Sequence, residues 1–86
     1  MEKVSPQIKV AVLSEEGVLF EGKADCLFVP TARGEVAILP YHMPMVLLMK
    51  SGSVKVVSNH QRKKIVEVKK GVVRVDDNQA YVLVNL

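Results

Sequence analysis

Apolar and polar residues alternate with a period of two along most of this chain. In the run 8–13, Ile8, Val10 and Val12 fall on one face of an extended strand. The same alternation recurs further along, in residues 53–57, 64–69 and 73–75. Residues 81–84 are apolar on both faces, and no segment of ten or more residues shows helical periodicity. The pattern therefore predicts short strands from end to end.

Turn-forming residues separate these runs at short intervals. Glycine and asparagine supply positive φ, and aspartate and serine bond the local backbone, so each cluster predicts a turn. The predicted turns are residues 15–17, Gly22, 33–34, 51–52, 58–61, 70–71 and 76–78. Short strands at this spacing are typical of an antiparallel sandwich or barrel. We therefore predict an all-β fold, an antiparallel β-sandwich or flattened barrel, in a single domain of residues 1–86.

The composition supports a small β domain and argues against several classes of protein. Valine accounts for 17 of the 86 residues, and β-branched side chains favour strands. Hydrophobic residues make up 49% and charged residues 24%, with a net charge of +3, which is globular and only mildly basic. One cysteine cannot form an internal disulfide. No run approaches the roughly 18–20 apolar residues of a membrane span, and no secretory signal is apparent, so we expect a soluble, cytoplasmic protein.

Residues 33–49 depart from the alternation. Pro40 and Pro44 lack the N–H that a sheet ladder needs, so they bar a central strand and frame a stiff loop. His42, between them, has two open interpretations: a hydrogen-bonded structural histidine or a contact residue. The apolar run 46–48 predicts a core strand. Methionine-rich surface adapts readily to a partner, so the candidates for an apolar contact are Tyr41, Met43 and Met45.

Residues 34–44, Gly-Glu-Val-Ala-Ile-Leu-Pro-Tyr-His-Met-Pro, resemble the Gly-Glu-x-Gly-Ile-x-Pro-x-His-x-Pro signature of the epsilon subunit of rotary F-type ATP synthases. Further landmarks follow in matching order: an opening hairpin at 13–22, Gly-Val-Val-Arg-Val at 71–75 and a last strand at 80–84. The resemblance spans roughly residues 7–86. It implies a flattened sandwich of two five-stranded sheets at the foot of the central stalk, bound to the gamma subunit and resting on the c-ring.

The resemblance also implies contact roles for single residues. Ser14 and His42 match positions that lie against gamma, and Glu35 matches the acid that faces the polar loops of the c subunits. With the candidates chosen from the residues themselves, the expected gamma contacts are Ser14, His42, Met43 and Met45, and the expected c-ring contacts are Arg33, Glu35 and Tyr41. Ala37 and Tyr41 stand where the family usually has glycine. If either position requires positive φ, a side chain there is costly.

The expected function is therefore that of a rotor subunit in a proton-translocating F-type ATP synthase, linking gamma to the c-ring without catalysis of its own. No cofactor, metal or small-molecule ligand is expected. Membrane association is expected only through the complex, on the cytoplasmic side of the inner membrane. Many family members continue into an inhibitory C-terminal helical hairpin. The sequence here stops at Leu86, so no such hairpin is expected.

A carrier domain of the biotinyl or lipoyl type is the main alternative. Such domains are all-β, of about this length, and bear a modified lysine on a hairpin tip, and Lys50 lies near mid-chain as that interpretation requires. Nucleic-acid binding is a second alternative, because residues 60–64 form a basic run; however, no aromatic residues are interleaved with it to stack on bases. A zinc site is disfavoured, because Cys26, His42 and His60 lack a recognisable ligand spacing.

Overall fold

The computed structural model describes residues 6–85, and within that range the regular structure consists of nine β-strands. In chain order they are β1 (Ile8–Ser14), β2 (Gly17–Ala24), β3 (Cys26–Thr31), β4 (Gly34–Ile38), β5 (Met45–Met49), β6 (Gly52–Ser58), β7 (Gln61–Val68), β8 (Lys70–Asp76) and β9 (Gln79–Asn85). The prediction of an all-β chain is confirmed.

The strands form two sheets. One has five strands in the order β2-β1-β9-β8-β5, and the other has four in the order β4-β3-β6-β7. Neighbouring strands are antiparallel except β1 and β9, which run parallel with Lys9 opposite Gln79 and Leu13 opposite Leu83. The sandwich is confirmed, but the second sheet has four strands where five were expected. No strand forms between Ile38 and Met45, a segment that contains both prolines of the loop.

The core lies between the sheets and is built from the alternating apolar positions. Ile8, Val10 and Val12 are fully buried on one face of β1, as their spacing predicts. Burying each such side chain contributes about 1.5–3 kcal/mol. No polar or charged residue within 6–85 is buried. The core cluster comprises Ile8, Val10, Val12, Ala24, Leu27, Val29, Ile38, Met49, Val54, Val56, Val68, Val73, Val75, Ala80, Val82 and Val84.

Two predicted turns lie within strands instead. Gly22 belongs to β2 and Gly71 to β8. At Gly71 an added Cβ would overlap the carbonyl oxygen of Leu83 and the side chain of Met49. This glycine therefore allows a close approach of strands rather than a reversal of the chain. The other predicted turns are confirmed, because each coincides with a connection between strands.

Candidate docking surface

The outer face of the five-stranded sheet carries an uninterrupted row of apolar side chains, called here the apolar row. Its members face one another in register across all five strands, and they are Leu48, Val72, Leu83, Leu13 and Val18. Leu48 is 75% exposed, Val18 60% and Leu83 53%. Exposed apolar patches of this continuity mark contact sites on soluble proteins.

Two shallow concavities indent this face. They have volumes of about 550 Å³ and 460 Å³, and both are lined in part by Val72 and Leu83. Two positions along the strands from the apolar row, Val46 on β5 and Tyr81 on β9 add further apolar surface. Arg74 on β8 lies between them, directly opposite both. The outer face therefore combines exposed apolar side chains with concavities that another protein could fill.

Strand β5 presents different residues to its two sides. Val46 and Leu48 are exposed on the outer face, whereas Met45 and Leu47 pack against the core and Met49 is buried. The prediction of a core strand over 46–48 is therefore wrong for Val46 and Leu48 and right for Leu47. Met45 is partly buried and packs against the core rather than lying at the centre of the outer face.

Sequence reasoning missed the apolar row as a surface, although a signal for it was present. Residues 45–49 and 81–84 are apolar at every position. A strand that is apolar on both faces is typically covered on both faces. In this sandwich only one face of each strand is covered by the other sheet. The second apolar face is therefore a candidate contact surface.

The segment between β4 and β5 forms a loop, as the two prolines predict, and this loop is exposed at several residues. Tyr41 is 74% exposed and Met43 71%. Tyr41 has a φ of 61°, so its position does require the left-handed conformation. Its N–H donates to Oδ1 of Asn78 at 2.7 Å, and Nδ2 of Asn78 donates to the carbonyl oxygen of Gln7 at 2.9 Å. These bonds tie the loop to the turn between β8 and β9.

His42 and Ser14 lie at opposite ends of the five-stranded sheet. The N–H of His42 donates to the carbonyl oxygen of Leu39 at 3.2 Å, and its half-buried ring makes a local contact from Nδ1 to the carbonyl oxygen of Met43 at 3.1 Å. Ser14 ends β1, where its Oγ accepts the N–H of Glu16 at 3.1 Å. The expected gamma contacts thus form no single cluster, and the outer face lies between them.

Glu35 lies on β4 within a network of charges on the four-stranded sheet. Its carboxylate is 3.3 Å from Nζ of Lys55 and 3.6 Å from Nη1 of Arg62. The Arg62 guanidinium also stacks over the Phe28 ring, 4.0 Å from its centroid. Glu35 is therefore held in place while its side chain stays 37% exposed.

Arg33 lies in the turn between β3 and β4, close in sequence to Glu35. Thr31 fixes this turn, because its Oγ1 accepts the N–H of Arg33 at 3.2 Å and donates to the carbonyl oxygen of Gly34 at 2.8 Å. Tyr41 follows the opposite end of β4. Arg33 and Glu35 therefore lie at the start of β4, and Tyr41 lies beyond its other end.

The residues of the alternative functions are placed unfavourably for those functions. Lys50 connects β5 in one sheet to β6 in the other, and its N–H donates to the carbonyl oxygen of Pro30 at 3.1 Å. Because β5 and β6 do not pair, Lys50 is not on a hairpin tip as in a carrier domain. In the basic run, Arg62 pairs with Glu35, and Lys64 lies 3.6 Å from Glu67.

Cys26 is buried, and burial raises the pKa of its thiol. Between residues 6 and 85, no three His, Cys, Asp or Glu side chains gather as a metal site would require. Over the same range, no helix has the length and apolar character needed to cross a membrane.

The fold and these surfaces define an all-β sandwich domain with an apolar row on one outer face and a group of ion pairs on the other. The chain belongs to the family of ATP synthase delta/epsilon chain β-sandwich domains, whose model matches residues 7–86. It is 34% identical over 77 residues to the ATP synthase epsilon chain of Leptospira interrogans, covering 90% of this chain and 60% of that protein. It is 46% identical over 54 residues to the Hydrogenovibrio crunogenus epsilon chain, covering 63% of this chain and 38% of that protein. The chain thus spans less than two thirds of each relative.

Two solved structures share the fold at low sequence identity. One is a chain of the Euglena gracilis mitochondrial ATP synthase, described with its OSCP, F1 and c-ring, with a TM-score of 0.83 and 15% identity over 96% of this chain and 53% of that chain. The other belongs to the Tetrahymena thermophila mitochondrial ATP synthase, described as central stalk and c-ring. It has a TM-score of 0.70 and 16% identity over 98% of this chain and 66% of that chain. At such identities the likeness shows the fold alone.

Proposed function

We propose that this chain is the β-sandwich of a central-stalk subunit in a proton-translocating F-type ATP synthase. There it links the gamma subunit to the c-ring, on the cytoplasmic side of the inner membrane, and has no catalysis of its own. The family membership and the relatives named ATP synthase epsilon chain support this assignment. The single observation that carries it is the apolar row, because a continuous row of apolar side chains at the surface of all five strands marks a contact site.

Gamma covers the outer face of the five-stranded sheet in this proposal. A stable contact buries upwards of about 1,200 Å² in total, which the loop alone cannot supply. The apolar row and Tyr81 provide the centre, with exposed leucine and tyrosine side chains suited to a desolvated contact. Ser14 contacts gamma at one end of this face, and His42 and Met43 contact it at the other. Met45 supports the surface from beneath.

The c-ring contacts the turn between β3 and β4 in the same proposal. Arg33 and Glu35 carry opposite charges at that end of the four-stranded sheet, and such charges fix the register of a contact more than they add affinity. Lys55 and Arg62 hold the Glu35 carboxylate in position. Tyr41 stands apart from this pair, so its contact with the ring is the weakest element of the set.

Replacement of Leu83 by lysine tests the proposal. A charge at the centre of the apolar row has to be desolvated when gamma binds, so we expect Leu83→Lys to raise the dissociation constant for gamma by about 100-fold. The fold tolerates the change, because this side chain is already 53% exposed. Ala37→Lys is the matched control, since Ala37 is exposed on the other sheet. Titration calorimetry with purified gamma measures both, and an unchanged dissociation constant for Leu83→Lys contradicts the proposal.

A further inference from the structure

Two lysines face each other on the outer surface of the five-stranded sheet. Lys9 on β1 and Lys23 on β2 are directly opposite in the antiparallel register, and both are exposed. Like charges in this arrangement destabilise a sheet. In the described part of the chain, neither ammonium group has a carboxylate within 4.0 Å. The repulsion between the two lysines is therefore not offset by a direct ion pair within this range.

A second lysine pair in the same molecule shows how the fold compensates such a cost. Lys55 and Lys64 are also directly opposite, on β6 and β7. Each has its own carboxylate, with Lys55 3.3 Å from Glu35 and Lys64 3.6 Å from Glu67. One lysine pair is thus neutralised within the chain and the other is not. Among residues 6–85, the Lys9/Lys23 pair therefore has no carboxylate in ion-pair contact and can accept an acidic group from another protein.

The lysine pair is continuous with the apolar row. Lys9 lies two positions from Ala11 and four from Leu13 on the same face of β1, so both features belong to one surface. A concavity of about 620 Å³ opens beside Lys9 and Lys23, with Tyr41 also on its wall. A single partner that covers the apolar row therefore reaches the lysines as well.

Acidic residues around the pair limit what can bind there. Glu21 lies two positions before Lys23 on the same face of β2. Across the sheet from Lys9, Gln79 on β9 lies directly opposite, and Asp76 on β8 lies opposite Gln79. Asp77 lies on the wall of the concavity. These carboxylates repel an extended polyanion, such as a nucleic acid or an anionic lipid surface. A single carboxylate carries less charge than such a polyanion, so these acidic residues repel it less.

We infer that Lys9 and Lys23 receive an aspartate or glutamate side chain from the protein segment that covers the apolar row. The partner segment is therefore amphipathic in a defined way: apolar where it meets Leu13 and Leu83, and acidic where it passes the lysine pair. This inference rests on the proposed function, in which gamma supplies the segment. Charges at the margin of an interface act chiefly on the association rate and its salt dependence.

The test compares two double variants of the 86-residue chain. Lys9→Gln with Lys23→Gln removes the pair, and Lys63→Gln with Lys64→Gln removes the same charge from the other sheet. We expect the first to lower the association rate with purified gamma about fivefold and to flatten its dependence on salt, since exposed pairs are screened at ionic strengths near 0.1 M. We expect the second to associate at the rate of the unaltered chain. Carbodiimide treatment of the complex should link Lys9 or Lys23 to a gamma carboxylate, and mass spectrometry of the digest would detect the link.

The outcomes separate this inference from the proposed function. If Leu83→Lys abolishes binding while the Lys9/Lys23 variant keeps the rate and salt dependence of the unaltered chain, the inference fails and the docking surface stands. If the Lys9/Lys23 variant instead loses affinity only for phosphatidylglycerol vesicles or single-stranded DNA, the lysines serve a polyanion and the inference is wrong. If the unaltered chain does not bind gamma, both are overturned.

Discussion

Tyr41 shows how one residue is held in a conformation that its type disfavours. A non-glycine residue in the left-handed region costs about 1–2 kcal/mol relative to its ordinary conformations. The Asn78 side chain offsets this cost by accepting the Tyr41 N–H at 2.7 Å. The tyrosine ring itself is mostly exposed, so the loop retains its backbone shape while presenting a large side chain to the surroundings.

The backbone conformation of Tyr41 can be tested by substitution. We expect Tyr41→Ile to lower the free energy of unfolding by on the order of 1–2 kcal/mol, because a β-branched residue at φ 61° is strongly disfavoured. Tyr41→Asn is the control, since asparagine adopts this conformation readily and also loses the exposed ring. Urea denaturation followed by circular dichroism measures both. Equal stabilities for the two variants would show that the backbone at this position is not strained.

At the scale of elements, β5 combines a core strand and a contact strand in five residues. Its inner side contributes Met45, Leu47 and Met49 to the sandwich, and its outer side leaves Val46 and Leu48 in solvent. A strand of this kind has two separable tasks, because substitutions on one side change stability and substitutions on the other change binding.

This separation predicts opposite results for adjacent residues. We expect Met49→Thr to lower the free energy of unfolding by about 2–4 kcal/mol, because it leaves a cavity and buries a hydroxyl in the core. Leu48→Thr should change stability by no more than about 0.5 kcal/mol, since the side chain is 75% exposed. It should nevertheless weaken binding of gamma. Thermal and urea unfolding test the first point and calorimetry the second, and a large loss of stability in Leu48→Thr would contradict this division.

The period-two pattern was sufficient to predict most of the fold. Ile8, Val10 and Val12 lie on the buried face of β1 as the alternation requires, and the prolines exclude a strand where expected. The period-two pattern does not predict the apolar row. Where both faces of a strand are apolar, as at residues 81–84, the pattern does not indicate which face is buried. The prediction of a turn at Gly71 is wrong for a related reason. A glycine needed for close packing and a glycine needed for a turn look the same in one sequence.

At the scale of the whole molecule, the two outer faces of the sandwich differ in chemistry. The five-stranded sheet exposes the apolar row, and the four-stranded sheet exposes the ion pairs of Glu35 with Lys55 and Arg62. A subunit placed between two partners benefits from this asymmetry, because each face selects one partner and disfavours the other.

Glu35→Lys tests the charged side within the assembled enzyme. The change reverses a charge between Lys55 and Arg62, so it should disrupt the c-ring contact and lower ATP-driven proton pumping in reconstituted vesicles. The isolated chain should keep its circular dichroism spectrum, because Glu35 is exposed and surface ion pairs contribute little to stability. Glu35→Gln, which removes the charge without reversing it, should give a smaller defect. Pumping by Glu35→Lys at the rate of the unaltered enzyme would remove Glu35 from the contact.

The parallel pairing of β1 with β9 joins residues 9–13 to residues 79–83 in the middle of the five-stranded sheet. Because the strands are parallel, β1 begins where β9 also begins, and β9 leaves the sheet at the opposite end. Tension applied between Ile8 and Asn85 therefore pulls the two strands along their length in opposite directions. The evenly spaced hydrogen bonds of the ladder then bear the load together instead of rupturing one by one. A sandwich closed in this way resists mechanical extension.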